Sequence, residues 1–218
     1  MSRLAAVSRP SIIFSNNTQT LRVVFFKIWH IVFAEKYQLG IVSRKNLKKE
    51  AKIMRIKISE DISREYYETV KDILENKDFI KLRLYTQHNT TNRLLHSLNV
   101  SYLAWLMAKK LHCDAAAAAR AGLLHDFCLY DFKDGTPNGE FQAFYHPKAA
   151  AENSEERFEL SEKEKNAILS HMFPLGPIPK SKEAWIISTA DKVCASAELC
   201  SIAIALTKRG RVEISPAV

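Results

Sequence analysis

Glycine and proline are scarce in this chain, at 6 and 7 of 218 residues. A β-sandwich or barrel turns back roughly every 8–12 residues and draws on those two for its reversals, so their scarcity argues for helices. Strand-like alternation of any useful length is missing as well. Four cysteines, Cys113, Cys128, Cys194 and Cys200, show no Cys-x-x-Cys spacing. They read as the reduced core thiols of a cytoplasmic protein rather than as a disulfide frame. The longest apolar stretch, Leu21 to Ala34, covers 14 residues and is broken by Lys27 and His30. A membrane span needs about 20 apolar residues, so no membrane partner is expected. No small-residue cleavage site follows the stretch, which argues against a secretory signal.

Charge is present but unevenly placed. The net charge of +8 belongs to residues 1–53, where ten Lys or Arg face two acids, Glu35 and Glu50. The remaining 165 residues balance at 22 basic and 22 acidic groups. The body therefore has no electrostatic bias toward a polyanion, and a nucleic-acid partner is disfavoured. Arg44–Lys52 does hold five basic residues in nine, but without interleaved aromatics it reads as a solvated charged face. Residues 1–53 are expected to be a poorly packed basic extension upstream of the folded body, which opens at Met54.

From Ile58 onward the pattern predicts one helix after another. Ser59-Glu60-Asp61 signals the start of a helix running to about Asn76, and a shorter helix is expected over 77–85. Polar residues 86–92 form a loop ending in cap-competent Asn and Thr. A helix over 93–111 sets Leu94, Leu98, Tyr102 and Trp105 on one face by 3–4 spacing. Asp114 caps an alanine-rich helix reaching His125. Further helices are expected over 147–157, 161–172 and 181–206, with caps at Ser161 and Ser181, and a loop at Asp134-Gly-Thr-Pro-Asn-Gly139. The body is predicted to be an all-α bundle of six or seven helices around one core.

Against this background stand His96, His125-Asp126, His146, His171 and Asp191, six residues within 96. Singly, each has a plainer reading, since a lone helical histidine such as His96 is usually a surface or satisfied core group. His125-Asp126 is different, because it ends the most apolar helix of the chain beside Leu123, Leu124 and Phe127. Two ionisable side chains there are costly to bury unless something pairs with them. Asp191 sits in a similarly apolar setting after Trp185-Ile-Ile-Ser-Thr-Ala, where an unpaired carboxylate would also be expensive. His146 precedes Pro147 and is expected to begin a helix, and His171 to end one. Imidazole with carboxylate suits a divalent transition metal: Fe, Mn, Co, Ni or Zn.

Taken together, His96…His125-Asp126…Asp191, in the phrases HSLNVSYLAWLMAKKL, ARAGLLHDF and IISTADKV, resemble the HD-domain metal-dependent phosphohydrolases over about residues 72–205. The resemblance implies a first metal on His96, His125, Asp126 and Asp191. His146 and His171 match the members that hold two metals, which implies a second ion there with Asp126 bridging. It implies a hydrolase of small, nucleotide-like phosphoesters or phosphoanhydrides acting through a metal-activated hydroxide, with Asp126 and His125 at its centre. The phrases look most like a bacterial group of small single-domain HD proteins.

Phe127-Cys128-Leu129-Tyr130 after the His-Asp pair, and no Gly-Tyr-Pro, depart from the cyclic-dinucleotide phosphodiesterases of the superfamily. Arg93 and Lys192 are candidates to bind substrate phosphate, against the plainer reading of helix-face charges. Asp131 is either an outer base or a loop acid. His88 is a candidate for the pocket mouth, whereas His30 and His112 read as incidental. A metal-stabilised HD module without turnover is the competing class.

Overall fold

The computed structural model describes residues 54–58, 64–87, 91–208 and 211–216, and the expectations for residues 1–53, for the Ser59–Asp61 helix start and for His88 lie outside them. Seven α-helices follow in order: α1 (Arg64–Leu74), α2 (Lys77–Ile80), α3 (Arg93–Lys110), α4 (Ala115–Leu124), α5 (Gln142–Glu155), α6 (Glu162–Ser170) and α7 (Lys182–Leu199). Short 3-10 turns at Lys81–Leu84 and Phe132–Asp134 complete the helical set. The all-α prediction holds, and most starts are where the polar caps put them. The side chains of Asn92, Asp114, Ser161 and Ser181 accept the N–H groups of Leu95, Ala117, Glu164 and Ala184. Each satisfies one donor that the first turn leaves without a helical partner. At Ser161 the Glu164 carboxylate returns the bond, closing a capping box.

Helix α3 is the axis of the bundle. It is buried around nearly its whole circumference, from Arg93 and Leu94 to Met107 and Ala108, and it packs against α4 and α7. Gly122 allows the α3–α4 contact, because a Cβ there would stand 2.7 Å from the Ser101 backbone Cα. Ser101 seals the same crossing by donating to the Ala119 carbonyl at 2.7 Å while accepting from the Tyr66 hydroxyl.

Two boundaries differ from expectation. Helix α5 begins at Gln142, so His146 lies in its second turn and Pro147 inside it. Pro147 is the sixth residue of the helix, past the free N–H groups of the first turn, so it forgoes one helical bond, that to the Ala143 carbonyl, and Phe141 caps the end without a side-chain bond. Helix α7 stops at Leu199 rather than near 206. Ser201 takes a left-handed φ of 57°, the Ile202 N–H reaches the Ala197 carbonyl, and the Ser201 N–H reaches that of Glu198. This is the Schellman closure usually made with glycine. In this glycine-poor chain, serine takes the role here and His112 (φ 53°) takes it after α3.

Finally, two five-residue strands, β1 (Met54–Ile58) and β2 (Val212–Pro216), pair antiparallel, with Ile56 opposite Ile214. The expectation of no strands is corrected to that extent. Five alternating residues carry too little signal to mark a strand when the partner is at the other end of the body.

Candidate metal centre

The six candidate residues converge. His96 comes from α3, His125 and Asp126 from the end of α4, His146 from α5, His171 from the end of α6 and Asp191 from α7. Their imidazoles stand in a row in the order His96, His125, His171, His146, with ring centroids 5.3, 5.0 and 4.9 Å apart. All four rings are buried, as is Asp126. Ligand-type atoms of His96, His125 and Asp191 cluster within 4.8 Å of one another, and so do those of His125, Asp126 and His171.

Local helix chemistry aims the rings. His125 and His171 are C-caps, and each sets its Nδ1 against the carbonyl three residues back, Gly122 at 2.8 Å and Ile168 at 2.7 Å. Those carbonyls are among the last four of their helices, which have no helical N–H to accept. His146 sets its Nδ1 on the Gln142 carbonyl at 2.6 Å. A carbonyl can only accept, so all three Nδ1 atoms carry the proton and each Nε2 turns inward. His96 reaches the same outcome through a carboxylate. Its Nδ1 meets Glu198 Oε2 at 2.9 Å and its Nε2 meets Asp191 Oδ1 at 3.2 Å.

Asp126 sits between the two halves of the row. Its Oδ2 lies 3.5 Å from His125 Nε2 and accepts from Gln87 Nε2 at 2.5 Å. Its Oδ1 faces His146 Nε2 at 3.4 Å and His171 Nε2 at 3.7 Å. His125 Nε2 also lies 3.7 Å from Asp191 Oδ1. Burial alone would raise the pKa of Asp126, but the rings of His125, His146 and His171 hold it below the usual carboxylate range. Asp191 is partly buried; desolvation would raise its pKa too, but His125 and His96 hold it low. Burial opposes charge on His96, yet the Asp191 and Glu198 carboxylates outweigh it and push that ring up to about 10. His125 is raised by Asp126 and Asp191 against the same desolvation. His171 goes the other way, lowered to about 3 by burial and the neighbouring His146 and His125 rings, which keeps it neutral.

These residues fit a divalent cation on two observations. His125 Nε2 and Asp126 Oδ1 are buried without a hydrogen-bond partner, an expensive arrangement for a ring nitrogen and a carboxylate oxygen. His146 Nε2 and His171 Nε2 stand 2.9 Å apart while both Nδ1 atoms are committed to carbonyls. Two inward lone pairs at that distance repel unless a cation or a proton lies between them.

Arg93 and Lys192, the two candidates for phosphate binding, are engaged by the protein itself in this structure. Arg93 is fully buried, stacks 3.7 Å over the Phe132 ring, and donates Nη1 to the carbonyls of Cys128 and Tyr130 and Nε to Gln87. It braces the loop behind Asp126. Lys192 donates to the carbonyls of His171 and Ser188 and to the Ser188 hydroxyl. Asp131 caps the Phe132–Asp134 turn through the Lys133 N–H, as a loop acid does. His112 serves the end of α3, away from the centre.

Sequence reasoning missed Glu198, Asn99 and Gln87. Glu198 follows Asp191 by seven residues and Asn99 follows His96 by three, spacings that share a helix face and were legible. Gln87 lies in a loop, where spacing carries no such signal.

The family model for the HD domain matches residues 93–196. Among curated proteins, Ribonuclease Y of Clostridium perfringens strain SM101 is 43% identical over 68 residues, 29% of this chain and 13% of that protein. Ribonuclease Y of Thermoanaerobacter pseudethanolicus is 35% identical over 105 residues, 48% of this chain and 19% of its own length. Ribonuclease Y of Aquifex aeolicus is 63% identical over 35 residues, 16% of this chain and 6% of that protein. The chain thus spans less than a fifth of the length of these relatives. Residues 93–196, which contain all six of the converging His and Asp side chains, match the HD domain.

Proposed function

We propose that the protein hydrolyses a phosphoester or phosphoanhydride bond of a nucleotide-like substrate with two divalent transition ions held in this row. His96, His125, Asp126 and Asp191 would hold the first ion. Asp126, His146 and His171 would hold the second, with one Asp126 oxygen turned to each half. The reading rests most on the 2.9 Å approach of His146 Nε2 to His171 Nε2, with both rings locked by backbone carbonyls and the unpartnered Asp126 Oδ1 facing them. Bound there, divalent ions supply Lewis acidity toward phosphoryl oxygens and acidify water. The chain's own part is positional. Gln87 steadies Asp126, carbonyls lock three imidazoles, and Arg93 and Lys192 act as braces rather than as phosphate ligands.

Elemental mass spectrometry of the purified protein tests this, with His171→Ala beside wild type. About two ions per chain falling to about one supports the dinuclear reading. One ion in both moves the chemistry to a mononuclear site. None in either, with the fold retained, leaves a binding module without turnover. A second reading, cleavage of RNA phosphodiesters, is favoured by the relatives named Ribonuclease Y. Offering metal-loaded protein nucleoside polyphosphates and short single-stranded RNA in parallel separates the two.

A further inference from the structure

Behind His96 lies a chain of hydrogen bonds whose direction is forced from one end. The Thr207 backbone N–H can only donate, and it meets Asn99 Oδ1 at 3.1 Å. The amide of Asn99 must then turn its Nδ2 the other way, where Glu198 Oε1 accepts at 3.2 Å. The second oxygen of Glu198 faces His96 Nδ1 at 2.9 Å. A carboxylate that accepts on both sides requires a proton on Nδ1, which reserves Nε2 for the site, facing Asp191. Side-chain amide orientation is ordinarily ambiguous, but here a main-chain N–H decides it. Asn99 and Glu198 are both buried, so water does not readily substitute for either link.

We propose that Glu198 is the positioning residue of His96, and that the direction of the Thr207–Asn99–Glu198 relay holds His96 in the form whose Nε2 binds a divalent cation. This rests on the metal reading given above. In Glu198→Gln the side chain has one accepting and one donating end, so one of its two contacts must oppose like against like. If the amide nitrogen faces His96, the ring reverses its proton and blocks Nε2. Adding Asn99→Asp to Glu198→Gln restores the direction. The new carboxylate accepts from the Thr207 N–H and from the glutamine amide, whose oxygen then accepts from His96.

The test is calorimetric titration of the metal-stripped full chain with cobalt(II), comparing wild type, Glu198→Gln, and the double variant Asn99→Asp with Glu198→Gln. Outer partners of this kind change metal affinity about 10–100-fold. Glu198→Gln is therefore expected to weaken one of two cobalt ions by about that factor and leave the other unchanged, and the double variant to recover most of the loss. Wild-type affinity in Glu198→Gln overturns the proposal, as does a double variant no better than the single. If Glu198→Gln does not fold, Asn99→Ala is read instead, where about 3–10-fold weaker binding supports the relay and unchanged binding overturns it. No cobalt binding by wild type overturns the metal reading itself, a result distinct from a failure confined to the variants.

Discussion

A histidine becomes a ligand by what holds its other nitrogen. At His125 and His171 that partner is a carbonyl that a helix end leaves unused, so two rings are oriented at no loss of secondary structure. Asp126 depends on Gln87, a loop side chain that also accepts from Arg93. Gln87→Ala is expected to weaken metal retention about 10-fold with secondary structure unchanged, read by cobalt titration and circular dichroism. Lys192 secures the His171 carbonyl. Lys192→Met is expected to lower kcat with KM nearly unchanged, whereas a phosphate-binding role would raise KM; steady-state kinetics on an active substrate decides.

Helices here are placed by their ends and by one close crossing. Gly122 lies where a methyl group would stand 2.7 Å from the Ser101 Cα, a backbone atom that cannot swing aside. Gly122→Ala is expected to destabilise the fold by about 1–3 kcal/mol, by urea denaturation, and to disturb His125, whose Nδ1 rests on the Gly122 carbonyl. Ser161→Ala removes the capping box at the start of α6. It is expected to cost about 1 kcal/mol by the same measurement while leaving metal content unchanged, because His171 sits at the opposite end of that helix.

For the molecule as a whole, the centre gathers candidate ligands from five of the seven described helices or their ends, so ion binding there would be linked to folding. Ions that bind only the folded chain at 100 times their dissociation constant contribute about 2.7 kcal/mol. For a chain of this size chelation is then expected to lower the melting temperature by roughly 5–10 °C, with full recovery on adding back the ion. Scanning calorimetry reads both. Among the described residues no helix is long and apolar enough to cross a membrane.

Much of this was legible in sequence because it is local or chemically costly. Caps at Asn92, Asp114, Ser161 and Ser181 are read within one turn. Six buried-context His and Asp residues stand out because apolar sequence does not tolerate them without a partner. Their arrangement was not legible. The 2.9 Å approach of His146 to His171, the closure of α7 at Ser201 and the pairing of Met54–Ile58 with Val212–Pro216 all depend on segments far apart in the chain. So does the role of Arg93, which sequence presents as a free cation and the fold buries against Phe132. Sequence alone determined which helices form and which side chains stand out as candidate ligands. Packing of α3 against α4 and α7 decided which atoms face one another, because hydrogen-bond direction and ligand distance are set between helices, not along them.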